Sequence, residues 1–123
     1  MKRPKKKSPT WYRKKCVDWA IKEAKKRDNY ISQKSGIRLE GFNCHGSHIL
    51  PEGSYPLMSA EPYNIITLSF SEHILWWHKN PLEAAEWFEK KWPGRKKELL
   101  KMDKEKRTHV VNWEKRYEEI KTL

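Results

Sequence analysis

The chain contains little cysteine: Cys16 and Cys44 are its only two in 123 residues. Neither belongs to a C-x-x-C pair, so the sequence offers no disulfide framework and no paired thiolates of a zinc knuckle. We therefore expect two free thiols and a reducing, cytoplasmic environment.

Long hydrophobic runs are also missing. Apolar residues make up 37% of the chain, and no window approaches the unbroken apolar length of a membrane span. The opening "MKRPKKKSPT" lacks the apolar middle of a signal peptide. We expect no membrane partner, no export, and one compact domain with a modest core.

Acidic residues are too few to balance the basic ones, since 27 Lys and Arg face 16 Asp and Glu, giving a formal charge of +11. Such an excess attracts polyanions and makes nucleic acid the leading partner. The candidate phosphate contacts are Lys5, Lys6, Lys25, Lys26, Arg27, Lys90, Lys91, Arg95, Lys96 and Lys97.

The pattern along the chain predicts an α+β fold. Residues 1–8 are too charged to pack and predict a flexible arm, and Ser8 followed by Pro9 predicts the start of a helix. Two strands of a hairpin are expected in "RLEGFNCHGSHIL" and "YNIITLSF", because glycines interrupt the helical period and β-branched residues follow.

Helices are predicted after the hairpin. "SEHILWWHK" indicates a short one, and "NPLEAAEWFEKKW" a longer one in which Asn80 caps, Pro81 takes the first turn and Glu83 completes a capping box. Residues 95–121 predict one or two tail helices. The seven tryptophans are expected mainly in the core.

Three polar residues have a spacing that suggests a site. His48 ends the first predicted strand, Asn64 begins the second, and His73 lies on the helix that follows. Any one of them has an ordinary structural explanation, but a strand, strand, helix unit can bring all three to one side.

The order His, Asn, His on such a unit resembles the HNH nucleases, or ββα-metal nucleases. The phrases "SHILP", "NIITL" and "EHILWWHKNPLEAAEWFEKKWPGR" resemble the phage-type group linked to recombination and branched-DNA processing. The likeness covers about residues 17–100. It implies a nuclease domain over residues 9–104, a separate C-terminal helix over 105–123, and the host cytoplasm as location if a phage encodes the chain.

The resemblance implies roles for five residues. His48 would be the general base and Asn64 would orient it through its side-chain amide. His73 would bind a catalytic divalent metal ion, Mg²⁺, Mn²⁺ or similar. His78 and Ser47 are the other candidate metal ligands, and water and phosphate oxygens would fill the remaining positions. Ser47 stands where the family often has Asp or His, which weakens the metal site, and His78 is five positions after His73, an awkward offset on a regular helix. His45 is expected on the opposite strand face from His48.

The family's structural zinc is expected to be lost. In these nucleases two C-x-x-C pairs hold it, whereas this chain has Ser32 and Ser35 at the place of the first pair, and Ser69 and Glu72 at the second. Serine hydroxyls are poor zinc ligands at neutral pH. We expect hydrogen bonds to take over the metal's structural contribution.

Two other functions remain open from the sequence. The chain could be a DNA-binding module of the same fold without catalysis. Alternatively, a small binding protein could be stabilised by one zinc ion held by Cys44, His48, His73 and His78. A homodimer formed through the tail helix is also possible, because cutting two strands symmetrically would need two sites.

Overall fold

The computed structural model describes residues 6–123. Residues 1–5 of the predicted basic arm, which include the candidate phosphate contact Lys5, lie outside it. Helices combined with a two-stranded antiparallel sheet confirm the α+β class. The main elements are α1 (Pro9–Arg27), β1 (His45–His48), β2 (Ile65–Leu68), a π-helix (Ser71–Trp77), α2 (Pro81–Lys91), α3 (Arg95–Arg107) and α4 (Trp113–Lys121).

The two strands pair antiparallel, from His45 opposite Leu68 to His48 opposite Ile65. The first strand is much shorter than predicted. Gly41 adopts a positive φ of 54° and opens a 3-10 turn, which ends the extended conformation. Within residues 6–123, the outer edge of β1 has no partner strand and borders a cavity.

Helix α1 covers one face of the sheet. Its start is as predicted: the Ser8 hydroxyl accepts a hydrogen bond from the Trp11 amide at 3.2 Å. Ala20 and Ala24 pack against Ile65 of β2. These small side chains allow the helix to approach the strands closely.

The opposite face of the sheet packs against α2 and its neighbours. Ile66 and Leu68 contact Phe88 of α2, and partly buried indoles, among them Trp77 and Trp92, surround this cluster. The expectation of tryptophans in the core is confirmed only in part, since all seven are half-buried rather than buried. Their packing holds the π-helix and α2 against the sheet.

The predicted capping box at α2 is wrong. Asn80 occupies the N-cap position and Pro81 the first turn, but the Asn80 side chain makes no capping hydrogen bond. Its ψ of 63° departs from the extended conformation that a capping side chain usually needs, which Ser8 has with a ψ of 158°.

The tail forms two helices, and the predicted boundary between residues 104 and 105 falls inside α3 (Arg95–Arg107). Helix α4 folds back on α1: Tyr117 packs edge-on against Trp11, and Ile120 is buried. Much of the apolar face of α4, suggested above as a dimer contact, is thus covered within the chain. None of the helices over residues 6–123 is long and apolar enough to cross a membrane.

Substitution of Gly46 by alanine should destabilise the protein by about 1–3 kcal/mol. A Cβ atom at Gly46 would lie 2.8 Å from Ile21 Cγ2 of α1, so helix and strand would have to separate. Urea unfolding measures the change. The matched control is Gly53→Ala, where a Cβ meets nothing within 4 Å. Equal effects of the two substitutions would contradict this packing.

Candidate active site

A cavity of about 690 Å³ runs along the free edge of β1. Gly46 and His48 reach it from the strand, Ile21 borders it from α1, and Lys96 lies on it from α3. The π-helix and the residue after it contribute His73, Trp77 and His78. Two of the three residues of the predicted constellation, His48 and His73, therefore face one space.

The His48 ring has a defined hydrogen-bonding state. Its Nε2 lies 2.8 Å from the backbone oxygen of Ser59. A carbonyl oxygen only accepts, so Nε2 must carry the proton, and Nδ1 of the neutral ring keeps its lone pair. The Trp77 indole donates to the His48 carbonyl at 3.2 Å and fixes the backbone here. His48 is therefore arranged to accept a proton at Nδ1.

Asn64 is fully buried and bonds the loop between the strands. Its Oδ1 accepts from the Leu50 amide at 2.8 Å, while Nδ2 donates to the carbonyls of Leu50 and Met58 at 3.1 and 3.0 Å. The predicted direct contact with His48 is thus replaced by an indirect one. Asn64 fixes Met58, and the next residue, Ser59, supplies the carbonyl that orients His48.

A π-helical turn brings His73 and His78 together. The His78 amide donates to the His73 carbonyl at 3.1 Å, the five-residue hydrogen bond of a π-helix. Residues five apart then share a face, and the two Nε2 atoms lie 2.9 Å apart. The offset that is awkward on an α-helix is thereby accommodated.

His73 has an unusual electrostatic environment. Burial, together with the charges of His78, His45 and His48, lowers its pKa from 6.5 to about 4. The ring is therefore neutral at pH 7. A neutral imidazole is the form that binds metal ions.

His45 also contacts the imidazoles of the π-helix, although it was not among the predicted site residues. It lies opposite Leu68 and so on the other strand face from His48, as expected. Its Nδ1 is 3.0 Å from Nδ1 of His73, and its Nε2 is 2.8 Å from the Phe42 carbonyl. Strand alternation predicted its face but could not show that His73 crosses there.

Ser47 does not join the other candidate metal ligands. It is fully buried, and strand alternation directs it away from the face that carries Gly46 and His48. Its hydroxyl has no hydrogen-bond partner among the described residues and does not line the cavity. The structure therefore offers two candidate ligands, His73 and His78, without the predicted third.

The four-ligand zinc site considered above is not assembled. Cys44 is buried and lines a different, smaller pocket with Lys25 and Arg38. Over residues 6–123, no group of three or more His, Cys, Asp or Glu side chains is arranged to hold a metal ion. Neither cysteine is in a disulfide.

The residues at the positions where the resemblance would place zinc ligands form a hydrogen-bonded cluster. Ser32 Oγ donates to Glu72 Oε1 at 2.6 Å, the Ser69 amide donates to the same oxygen at 2.8 Å, and the Ser35 amide donates to Ser32 Oγ at 3.0 Å. Burial raises the pKa of Glu72, but hydrogen bonds from Ser32, Ser69 and Ser35 outweigh it and hold that pKa below its usual value. The cluster ties the start of the π-helix to the segment after α1.

Three of the basic residues predicted to contact phosphate donate hydrogen bonds to other groups of the same chain. Arg27 donates to Asp28 and to two backbone carbonyls. Arg95 is buried and donates to the Tyr63 carbonyl at 2.8 and 3.1 Å. Lys91 donates to the Gln33 carbonyl. Arg95 is buried, whereas Arg27 and Lys91 remain exposed while they make these hydrogen bonds.

The other described basic candidates lie on the surface. Lys6, Lys26, Lys90, Lys96 and Lys97 are exposed, and Lys25 is half-buried. Lys26 and Lys90 pair with Glu23 and Glu86 on their own helices. Exposed pairs of this kind contribute little and are easily exchanged for a phosphate. Of this set, Lys96 is the one that lines the cavity.

The site thus combines a potential base, two convergent imidazoles and a lysine around one cavity. Comparison of the chain with protein-family profiles, with curated proteins and with solved structures finds no match. Its chemistry must therefore be inferred from its own residues.

Four cysteines in place of Ser32, Ser35, Ser69 and Glu72 should create a zinc site, because these residues already converge and the C-x-x-C spacing suits a tetrahedral ion. We expect one tightly bound zinc per chain and a higher Tm with zinc than without. The double variant with cysteines at 32 and 35 alone is the control. Equal zinc content in both variants, measured after dialysis, would contradict the expected convergence.

Proposed function

We propose that the protein is a divalent-metal-dependent DNA endonuclease of the HNH, or ββα-metal, type. The observation that carries the proposal is the cavity beside β1, which His48 shares with His73 and His78. The strand, strand, helix order around it is the one on which the sequence resemblance rests. Phage recombination or branched-DNA processing is the proposed setting.

His48 is the proposed general base. Histidine is the side chain most often used for this task. The Ser59 carbonyl holds the proton on Nε2, so Nδ1 is left to take a proton from the attacking water. Asn64 maintains this arrangement by fixing the loop that carries Ser59.

His73 and His78 are the proposed protein ligands of the metal ion. Their Nε2 atoms converge at 2.9 Å on the cavity, and the burial that keeps His73 neutral favours ligation. A bound divalent ion would offset charge on the scissile phosphate and on the departing oxygen. Two imidazoles suit Ni²⁺ or Zn²⁺ better than Mg²⁺ or Mn²⁺, which prefer oxygen ligands. Water and phosphate oxygens would complete the coordination.

Lys96 is the proposed phosphate contact at the reaction centre. It is exposed on α3 and lines the same cavity as His48. The remaining surface lysines and the net charge of +11 would supply contacts to the DNA backbone that are independent of base sequence. Duplex or branched DNA is the proposed substrate.

A DNA-binding module without catalysis is the second candidate. It is favoured by one observation, that Ser47 lies outside the cavity and leaves only two of the proposed ligands there. The intact His48 arrangement favours the enzyme, because a protein that only binds DNA has no need of an imidazole with a free Nδ1.

Substitution of His48 by alanine should lower plasmid nicking by about 100- to 10,000-fold, the usual contribution of a general base. Nicking is followed with Mg²⁺, Mn²⁺ and Ni²⁺ in turn, and DNA binding is measured in parallel. Binding should persist because no positive charge is removed from the surface. His109→Ala is the control, since His109 is exposed near the end of α3 and away from the cavity.

Two results would decide against the nuclease. Unchanged nicking by the His48 variant would remove His48 from the chemistry. Absence of nicking by the wild-type protein with every metal, accompanied by firm DNA binding, would favour the binding module.

Substitution of Lys96 by alanine should weaken DNA binding and reduce its dependence on salt. Each lost phosphate contact lowers the slope of log affinity against log salt by about 0.9. Titrations at several salt concentrations measure this slope. Lys104→Ala is the matched control on the same helix, because Lys104 is exposed but does not line the cavity. The proposed contact would be excluded if both variants kept the wild-type slope.

A further inference from the structure

We propose that His45 is a positioning residue that holds the proton of His73 on Nδ1 and so leaves the Nε2 lone pair for a metal ion. The inference rests on the proposed role of His73 as a ligand. It gives a function to a histidine that belongs to neither the predicted constellation nor the cavity lining.

The position of the protons follows from the Phe42 carbonyl, which can only accept a hydrogen bond. The Phe42 carbonyl accepts a hydrogen bond 2.8 Å from His45 Nε2, so this nitrogen carries the proton. Nδ1 of the neutral His45 ring must then be the acceptor in its 3.0 Å contact with His73. His73 therefore donates from Nδ1, and its Nε2 is unprotonated.

The free nitrogen of His73 lies on the side where it is needed. Its Nε2 is 2.9 Å from His78 Nε2, at the cavity. The bond to His45 on one side of the ring leaves the Nε2 lone pair on the other side, where it accepts a hydrogen bond from His78 Nε2. A metal ion bound by both rings would replace this hydrogen bond, and the His78 proton would then move to Nδ1. Which nitrogen of a ligating histidine is protonated is usually set in this way, by the partner of the other nitrogen.

The start of this hydrogen-bond chain is fixed to the π-helix. Asn43 Oδ1 accepts from the Phe70 amide at 3.0 Å, which holds the 3-10 turn that carries Phe42. The His45 ring also packs edge-on against the Phe70 ring, with centroids 5.5 Å apart. The carbonyl, His45 and His73 are therefore held together by contacts within the chain.

The test reads the proton directly in metal-free protein. Long-range ¹H–¹⁵N spectra of ¹⁵N-labelled wild type should show His73 protonated at Nδ1 only. In His45→Phe, which keeps a ring against Phe70 but removes the acceptor, the protonated Nε2 form of His73 should appear.

His45→Asn places an amide oxygen near the former Nδ1 and should restore the wild-type signature. In calorimetric titrations with Ni²⁺ alone, the Phe variant should bind roughly 10- to 100-fold more weakly than wild type and the Asn variant less so.

Each outcome bears on the proposal. A wild-type His73 protonated at Nε2, or a signature that is the same in the Phe variant, would overturn it without reference to any variant's activity. The predicted spectra together with wild-type protein that binds Ni²⁺ but does not cleave DNA with any metal would support the positioning by His45 and refute the nuclease. Wild-type protein that binds no Ni²⁺ would overturn the role of His45 toward a metal ion. An unfolded Phe variant still leaves the wild-type and Asn spectra to decide.

Discussion

The buried amide of Asn64 is the interaction on which the site depends. Its three hydrogen bonds to Leu50 and Met58 close the long connection between the strands at a point where no water can replace them. Loss of such a group leaves several buried backbone partners unsatisfied, which is more costly than loss of an exposed hydrogen bond. Through this closure the Ser59 carbonyl reaches His48 and determines which ring nitrogen is free.

The second constraint is the small number of strands in the sheet. With only two strands, β1 keeps an open edge within the described residues, and the π-helix contacts this strand through His73, whose Nδ1 lies 3.0 Å from Nδ1 of His45. π-helical turns are rare and are frequently found at functional sites. Here the π-helical turn brings His73 close to His78, and His45 contacts the other nitrogen of the His73 ring.

A network of hydrogen bonds joins Ser32, Ser35, Ser69 and Glu72. Glu72 accepts from Ser32 and from the Ser69 amide, and so provides a negative centre ringed by donors. In the zinc sites of the nucleases that the sequence resembles, the charges would be reversed, with thiolates around a cation. A buried polar cluster of this kind stabilises only when its members are satisfied. None of the four residues lines the cavity, although Glu72 directly precedes His73 in the chain.

Local chemistry in the sequence determined much of the molecule: the α+β class, the cap at Ser8, the β2 segment and the order of His48, Asn64 and His73 follow from side chains and their neighbours. Only the tertiary structure decided the partners of these residues. Alternation along a strand predicts the face of the sheet on which a side chain lies. It does not predict that Ser47 is fully buried or that His45 contacts His73. The π-helical pairing and the indirect action of Asn64 could not be read from the chain, because both depend on which distant backbone groups packing brings within hydrogen-bonding distance.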